Sequence, residues 1–483
     1  MEFFARGLSS TYEAEHVARL FFPRLTMAKR RPGKSSEAVW VTQTKQWLWC
    51  AVRCPQGKAF QKQRYTSETD VEYEVCRMLF SLLRDVTGNT PLWGMLTGVR
   101  PVRLLHDLRK KGMSDEQLDD FFLRRHFVLP EKLALAKEIE QNQAPVRAMT
   151  TPRSVSVYIS IPFCPSRCSY CSFVSRTTEQ SRALMEPYVD CLLLEIAQTA
   201  KLIETLHLKL ETIYIGGGTP TAITAAQLRR VMQAVKDQFD LSKVREYTVE
   251  AGRPDCTDEE KLGIIYELGA TRISINPQTL SDRVLAAIGR RHTAQDILDC
   301  FAAARRVGHR NINMDLIAGL PQDTVKGFEK SLRGVAALQP ENITVHTLTM
   351  KRASNLVIDG AESPEADVAR MLEACAALAE QDYAPYYLYR QKGTLQNLEN
   401  TGYCKPGFTG LYNVFIMEEL HTILSVGAGG STKLVAPGGH IERIFNFKYP
   451  TEYVNDFARI TEKKEGVNAF YGKYFNLDSE TVG

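Results

Sequence analysis

The feature that most constrains the fold is a regular alternation of short apolar segments and longer amphipathic segments between residues 155 and 350. The short segments are predicted as six β-strands, at 155–161, 212–215, 247–250, 272–275, 312–316 and 343–345. Segments with helical periodicity lie between them, at about 181–206, 224–239, 258–268, 281–307 and 324–338. Strands that alternate with helices predict a parallel sheet. Right-handed crossovers would curl this sheet into a full or partial (β/α) barrel.

The sequence on either side of this core predicts two further regions. Residues 1–150 are expected to form an α+β domain. Its paired strands are predicted at 38–41 and 47–52. Its helices are predicted at about 70–86, after Ser114 as a cap, and at 131–141. A polar stretch with two prolines, 141–153, is expected to be the linker. Residues 351–483 are expected to be a C-terminal extension on the substrate side, with a helix at 365–381, a strand at 386–389 and then a long loop.

Segment length and cysteine usage narrow the class of protein. None of the 483 residues belongs to a run near the ~18 apolar residues that a membrane span needs, and the N-terminus does not resemble a signal peptide. Eleven cysteines, an odd number, favour a reducing compartment over a disulfide framework. We therefore expect a cytoplasmic protein without a membrane span.

The charge is distributed unevenly along the chain. Residues 1–150 carry 24 Lys and Arg against 17 Asp and Glu, whereas the remaining residues carry 36 against 39. A basic N-terminal region can bind RNA or another acidic partner. The charges are scattered, however, and no interleaved platform of aromatic and basic residues is evident. We therefore expect a solvated surface and no nucleic-acid partner.

Three cysteines lie within eight positions, directly after the first predicted strand of the core. Cys164, Cys168 and Cys171 have the spacing C-x3-C-x2-C. Three thiolates on a short loop can hold three irons of a four-iron cubane and leave the fourth iron open. A structural zinc site usually has four protein ligands, and two-cluster ferredoxins have a different spacing. A chance group of buried cysteines is the remaining alternative, and the Pro and Arg between the cysteines disfavour it.

A second motif, Gly216-Gly217-Gly218-Thr219-Pro220, follows the second predicted strand. Glycines leave backbone N–H and C=O groups accessible to a ligand. Such a loop by itself is more often a tight turn. Its position one strand after the cysteine loop favours a shared binding site.

Together these motifs resemble the radical S-adenosylmethionine (SAM) superfamily over about residues 155–350. The run from Tyr158 to Cys164, with the Gly-Gly-Gly-Thr-Pro-Thr loop, resembles its oxygen-independent coproporphyrinogen III oxidase branch, and the HemZ-type group within that branch over nearly the whole chain. The resemblance implies a partial (β/α)6 radical SAM barrel with an N-terminal α+β domain and a C-terminal extension. It also implies a [4Fe-4S] cluster held by Cys164, Cys168 and Cys171, and SAM bound at the open iron as the source of a hydrogen-abstracting 5′-deoxyadenosyl radical.

The resemblance further implies roles for individual side chains. Tyr170 and Ile317 would lie beside the adenine, and Tyr158 would lie near the cluster and the substrate as a catalytic residue. The loop around the methionine moiety and the polar contacts to SAM would come from Gly217, Gly218, Thr219, Glu250, Gln278, Arg290 and Asp315.

The implied activity is the decarboxylation of two propionates of coproporphyrinogen III to vinyl groups, which gives protoporphyrinogen IX for haem biosynthesis. The implied partners are this tetrapyrrole, an electron donor such as flavodoxin or ferredoxin, and an unidentified electron acceptor. Substrate carboxylates require cationic partners, and Arg352, Arg390 and Lys392 are candidates.

One position departs from the oxidase pattern. Phe173 stands two residues after the third cysteine, where the oxidases carry another cysteine, and Phe there resembles the haem-chaperone branch. That branch has a His-Asn haem-binding segment, and no His precedes Asn397 in the corresponding stretch. Two alternatives to the oxidase therefore remain: a haem-binding chaperone-like protein, and a radical SAM enzyme acting on another tetrapyrrole.

Overall fold

A computed structural model describes residues 1–33, 36–98, 100–173, 175–351, 353–358 and 367–475. The chain divides into two units. The first unit comprises Met1–Glu140 and Leu388–Glu399, and the second comprises Gln141–Tyr387 and Asn400–Gly483.

The first unit is built around a five-stranded sheet of order β2-β1-β3-β4-β5. Its strands are β1 (Glu2–Arg6), β2 (Thr26–Met27), β3 (Ala38–Gln43), β4 (Trp47–Cys54) and β5 (Gly57–Arg64). Strand β1 is parallel to its two neighbours, whereas β3, β4 and β5 are antiparallel. The helices are α1 (Tyr12–Phe21), α2 (Val71–Thr87), α3 (Pro101–Lys110), α4 (Asp115–Asp119) and α5 (Pro130–Ala148), the last of which continues into the second unit.

Local sequence signals explain these elements. Helix α2 begins after Asp70, whose side chain accepts a hydrogen bond from the Tyr73 amide, and ends at Gly88 in the left-handed region (φ 68°). Ser114 and Gln117 form a capping box at the start of α4, as predicted. The strands predicted at 38–41 and 47–52 are confirmed as the antiparallel pair β3–β4.

The second unit contains most of an 11-stranded sheet. Its strands, with a separate short pair (β7, β8), are β6 (Ser154–Ile161), β7 (Phe163–Cys164), β8 (Arg176–Thr177), β9 (Lys209–Gly217), β10 (Glu246–Glu250), β11 (Arg272–Gln278), β12 (Ile312–Ala318), β13 (Asn342–Thr347), β14 (Ala384–Arg390), β15 (Glu399–Cys404), β16 (Thr422–Val426), β17 (Ser431–Val435) and β18 (Ile441–Phe445). The chain leaves this unit within β14 and returns within β15.

The helices of this unit are α6 (Thr178–Thr205), α7 (Ala225–Gln238), α8 (Glu259–Glu267), α9 (Asp282–Ala287), α10 (Ala294–Val307), α11 (Val325–Ala337), α12 (Asn355–Ile358), α13 (Val368–Glu373), α14 (Leu411–Glu418), α15 (Pro450–Asn455) and α16 (Ala458–Tyr474). Within the part of the chain that the structure describes, no helix has both the length and the apolar character needed to cross a membrane.

The order of the large sheet is β14-β15-β13-β12-β11-β10-β9-β6-β16-β17-β18. The six predicted strands lie side by side and parallel, from β6 to β13, with helical connections between them. The predicted α/β partial barrel is therefore confirmed. Strand β16 adds a seventh parallel strand beside β6.

The parallel strands have one apolar face and one polar face. Fully buried apolar side chains alternate with polar ones along each strand, as Val157 and Ile159 alternate with Tyr158 in β6. The polar face carries, from β6 to β13, Tyr158, Tyr214, Glu250, Ser274, Asp315 and His346. We call this surface the inner face.

Three predictions about local structure are wrong. The linker expected at 141–153 is helical as far as Ala148, with Pro145 inside α5. Its neighbours fix this segment, because Asn142 donates to the Pro385 carbonyl (2.8 Å) and Arg147 donates to Glu418 (2.7 Å). The helix expected at 281–307 is two helices, separated at Gly289, which has φ 77°.

The long loop expected after residue 389 instead contains β15, α14, β16, β17 and β18. These elements are short, and the five-residue strands β17 and β18 include the charged residues Lys433, Glu442 and Arg443. Long-range pairing holds them, since β15 pairs with β13 and β16 pairs with β6.

Candidate active site

The three cysteines lie on the loop that follows β6. Cys168 is buried, Cys164 and Cys171 are half-buried, and all three thiols are free. Backbone hydrogen bonds fix the loop: the Cys171 amide donates to the Cys168 carbonyl (3.1 Å), and the Ser169 amide donates to the Ile288 carbonyl (3.0 Å). Burial raises the pKa of Cys171 to about 11. Metal binding would therefore displace protons from thiols rather than add to existing thiolates.

The glycine motif at the end of β9 packs directly against the cysteine loop. The amides of Gly218 and Thr219 donate to the carbonyls of Ile161 (2.9 Å) and Phe163 (2.8 Å), and the Thr219 hydroxyl lies 3.6 Å from the Cys164 sulfur. A Cβ on Gly218 would lie 2.6 Å from the Phe163 carbonyl oxygen and 3.0 Å from the Cys164 sulfur. Gly217 has φ 111°. The motif thus has the steric function of bringing two loops together.

Two arginines approach Cys168. Arg290 donates to the Tyr170 hydroxyl (3.3 Å) and to the Asn276 carbonyl (2.7 Å). Burial opposes the charge of Arg290, but Tyr170 and the Cys168 thiol raise its pKa above its usual value. Arg253 has its Nη1 3.9 Å from the Cys168 sulfur and forms a 2.6 Å ion pair with Asp255. Positive charge at this distance stabilises a thiolate.

Sequence reasoning missed Arg253. The only signal available was its position three residues after Glu250, beyond the end of a predicted strand, which is where barrel enzymes place functional side chains. Arg290 was predicted, but as a partner of the SAM carboxylate; the structure places two of its nitrogens on Tyr170 and Asn276.

Two carboxyl groups on the inner face have opposite electrostatic environments. Glu250 accepts a 2.6 Å hydrogen bond from the Tyr214 hydroxyl, and burial raises the pKa of Glu250 to about 7. Burial opposes the ionisation of Asp315 as well, but hydrogen bonds from His346 and Asn313 outweigh it and lower the pKa of Asp315. Asn313 donates at 2.7 Å, and the His346 Nε2 lies 3.6 Å from the carboxylate. One group can therefore exchange a proton near neutral pH while the other stays ionised.

Three tyrosines stack across the inner face. The ring centroids of Tyr158 and Tyr214 are 6.0 Å apart, those of Tyr158 and Tyr412 are 6.2 Å apart, and those of Tyr214 and Tyr412 are 4.5 Å apart. Burial raises the pKa of Tyr158 above its usual value, so its hydroxyl stays protonated. Sequence reasoning missed Tyr412, because it lies on α14, inside the segment predicted as a loop.

The remaining predicted residues lie at the ends of β11 and β12. Gln278 is buried, has φ 67°, and its side-chain oxygen has no hydrogen-bond partner among the described residues. The Nε of Arg290 is likewise buried without such a partner. Ile317 is buried and faces His346 in the strand register. The structure therefore brings every predicted cofactor-site residue into one unit, at or near the carboxyl ends of its parallel strands.

The donor set fits an iron–sulfur cluster better than a single ion. Among the described residues, no three Cys, His, Asp or Glu side chains converge on one metal ion. A zinc ion would require sulfurs about 2.3 Å from a common centre. Three thiols on one loop, with two guanidinium groups beside Cys168, suit a cluster in which each thiolate binds a different iron. The unpartnered polar atoms of Gln278 and Arg290 suit a polar ligand next to that cluster.

Comparison with known proteins gives the family. The sequence profile of the radical SAM superfamily matches residues 158–335. The oxygen-independent coproporphyrinogen-III oxidase-like protein HemZ of Bacillus subtilis is 40% identical over 402 residues, which cover 82% of this chain and 80% of HemZ. This chain is a member of the radical SAM superfamily, in its coproporphyrinogen-III oxidase-like branch. The cofactors of this radical SAM protein are a [4Fe-4S] cluster and SAM.

Two further proteins are similar to parts of this chain. The haem chaperone HemW of Bacillus subtilis is 39% identical over 200 residues, which cover 41% of this chain and 51% of HemW. The solved structure of the coproporphyrinogen III oxidase HemN of Escherichia coli aligns with a TM-score of 0.52 at 23% identity, covering 67% of this chain and 73% of HemN. That alignment shows a shared fold.

The predicted contacts to substrate carboxylates find no support in the side-chain environment. The guanidinium of Arg390 is buried in the first unit, where it donates to the carbonyls of Leu96 (2.7 Å) and Asn397 (3.0 Å). Lys392 contacts Tyr12 and His16 of the same unit. Arg352 lies outside the described residues.

Proposed function

We propose that this protein catalyses the oxygen-independent decarboxylation of coproporphyrinogen III propionates to vinyl groups. Each event removes one hydrogen atom from the propionate β-carbon, releases CO2 and passes one electron to an acceptor, which leaves the vinyl group. The observation that carries the proposal is the inner face itself: a half-buried polar surface, lined by three stacked tyrosines, beside the cysteine loop. A porphyrinogen, whose pyrrole rings are joined by saturated methylene bridges and carry carboxylate arms, needs aromatic and polar contacts of this kind.

The cofactors, when bound, would supply a radical that abstracts hydrogen. The cysteines would hold the cluster, and Arg253 and Arg290 would offset its negative charge. Asp315 would remain an anion facing the SAM amino group or ribose, and Gln278 would offer its unpartnered oxygen. Bound cofactor and substrate would have to cover this half-buried surface to exclude water and protect the radical.

Tyr158 is the proposed catalytic residue from the chain. Its hydroxyl stays protonated because burial raises its pKa, so it can donate a hydrogen bond to a propionate carboxylate. Tyr214 and Tyr412 would hold the macrocycle against this hydroxyl. The electron donor would be a flavodoxin or ferredoxin, and the acceptor would be an external oxidant.

The test is anaerobic incubation of cluster-loaded protein with SAM, a low-potential reductant, an electron acceptor and coproporphyrinogen III. We expect protoporphyrinogen IX, with one CO2 and one 5′-deoxyadenosine released for each vinyl group formed. Cys168→Ala is the inactive control. SAM cleavage without any decarboxylated porphyrinogen would reject this substrate, and the same reaction with other tetrapyrroles would then identify the alternative.

A second candidate function is haem binding without turnover. Phe173, which replaces the cysteine of the oxidases, is 66% exposed, and haem chaperones are among the relatives. A chaperone would bind haem, measured as a Soret band, and would leave coproporphyrinogen III unchanged. Titration of haem into cluster-loaded and cluster-free protein separates the two functions.

A further inference from the structure

In the described part of the first unit, helices α1 and α2 cover one face of the sheet. The core beneath α1 and α2 contains inward-facing side chains of successive strands, such as Phe3, Val41, Leu48 and Val52. The side chains between them point away from this core. Strand β5 makes the alternation plain, because Lys58, Phe60, Lys62 and Arg64 are exposed and the residues between them are half-buried.

Strand pairing collects aromatic side chains on this outward face. Trp49 is 38% exposed and Phe60 is 66% exposed, and their rings are nearly parallel, with centroids 6.4 Å apart. Trp47 lies two positions before Trp49 on β4 and so belongs to the same face. The exposure of large flat rings is unusual for a soluble surface, where such groups are normally buried.

The same face carries an excess of positive charge. Strand register puts Lys62 opposite Trp49, Arg64 opposite Trp47, and Lys58 opposite Arg53. The Lys62 ammonium lies 5.0 Å from the Trp47 ring and 5.4 Å from the Trp49 ring, and the Arg64 guanidinium lies 5.6 Å from Trp47. Residues 1–64 as a whole contain 12 Lys and Arg against 4 Asp and Glu. We call Trp47, Trp49, Lys58, Phe60, Lys62 and Arg64 the basic aromatic face.

We propose that the basic aromatic face binds single-stranded nucleic acid. Exposed rings on an open sheet offer stacking surfaces to unpaired bases, and the cations beside them attract the phosphates of the backbone. The charge favours a polyanion over a neutral protein surface, and the rings favour bases over a purely ionic partner. The interleaved platform that the sequence alone does not reveal is formed across strands: the β4–β5 register makes neighbours of Trp49 and Lys62, 13 positions apart, and of Trp47 and Arg64, 17 positions apart.

The test is fluorescence anisotropy of the full-length chain with labelled oligo(U) and oligo(dT) of about 12 nucleotides. Three phosphate contacts predict that affinity falls roughly 20-fold between about 50 and 200 mM salt. Trp49→Ala or Phe60→Ala should weaken binding roughly fivefold to 150-fold and leave the salt dependence unchanged. Lys62→Gln with Arg64→Gln should reduce the slope of log affinity against log salt by about 1.4.

Matched controls are Phe445→Ala and Lys326→Gln, an exposed ring and an exposed cation in the second unit, which should bind like the wild type.

Tighter binding of oligo(U) than oligo(dT) would assign the ligand as RNA, and the reverse as DNA; both support the proposal. Absence of binding at 50 mM salt would overturn it. Wild-type affinity in the aromatic variants would overturn it too, since binding would then be ionic only. Trp49-dependent binding of anionic lipid vesicles, without binding of either oligonucleotide, would assign the face to a membrane surface instead.

Discussion

In both sheets of this protein the side chains alternate between the two faces of each strand, but the second face has a different environment in each sheet. In the second unit, apolar residues such as Val157 pack beneath helices, and the polar residues between them line a half-buried inner face. In the first unit, apolar residues such as Leu48 also pack beneath helices, but the residues between them reach solvent. Successive side chains of a strand therefore lie on opposite faces. The surrounding fold decides whether the second face lines a site or is exposed to solvent.

The first prediction tests whether the cysteine loop alone supplies the cluster. Cys168→Ala should abolish binding of four irons and four sulfides after anaerobic reconstitution, because each of the three loop thiols would bind a different iron and the variant keeps only two of them. Cys300→Ala, a buried cysteine of α10, should retain the full cluster. Iron and sulfide analysis measures both, and a stable four-iron cluster in the Cys168 variant would remove the loop from the site.

A second prediction asks whether the inner face and the open face are functionally independent. Asp315→Ala should keep its iron yet bind SAM roughly ten- to hundredfold more weakly, since a hydrogen bond to a charged group contributes on the order of 1.5–3 kcal/mol. Trp49→Ala should bind SAM with wild-type affinity. Equilibrium binding to cluster-loaded protein decides the matter; lower thermal stability with unchanged affinity in the Asp315 variant would give that carboxylate a purely structural role.

Gly218 and Gly263 form a pair that isolates the close contact of the two site loops. Gly218→Ala should destabilise the protein by roughly 1–3 kcal/mol and lower its iron content, because the added Cβ meets backbone atoms and the Cys164 sulfur. Gly263→Ala, within α8, meets no atom within 4 Å and should stabilise it by about 0.5–1 kcal/mol. Denaturant unfolding and iron analysis give both values. Equal effects at the two positions would contradict the packing described.

A further prediction is a pH dependence of stability at Glu250, measured on protein without cluster or SAM. The folded carboxyl has a pKa of about 7 and the unfolded one about 4.5, so the folded state binds the proton more tightly. The free energy of unfolding should therefore fall by on the order of 2 kcal/mol as the pH rises from 4.5 to 7, after allowance for the partial exposure of Glu250. Above pH 7 it should stay level. Glu250→Gln should lack this decline. If Glu250 were solvated, the wild type would lack the decline as well.

The core of the fold is predictable from sequence because each barrel strand is a short segment with alternating buried apolar residues, between two helices. Pairing of β16 with β6 is not predictable in this way, since its partner lies more than 250 residues away. The same limit applies to the site. The cysteine and glycine motifs are local, whereas Arg253 and Tyr412 reach it through the fold. Arg390, beside a tyrosine-rich strand, resembled a substrate ligand and instead binds backbone carbonyls.

The most direct test of the account is the electron paramagnetic resonance spectrum of the reduced, reconstituted protein, recorded with and without SAM. Three cysteine ligands leave one iron open, so SAM should shift the spectrum of the wild type and of Trp49→Ala. The shift should require roughly ten- to hundredfold more SAM in Asp315→Ala. An unchanged wild-type spectrum at saturating SAM would mean that a fourth protein ligand closes the cluster, and it would contradict the assignment of the inner face as the SAM site.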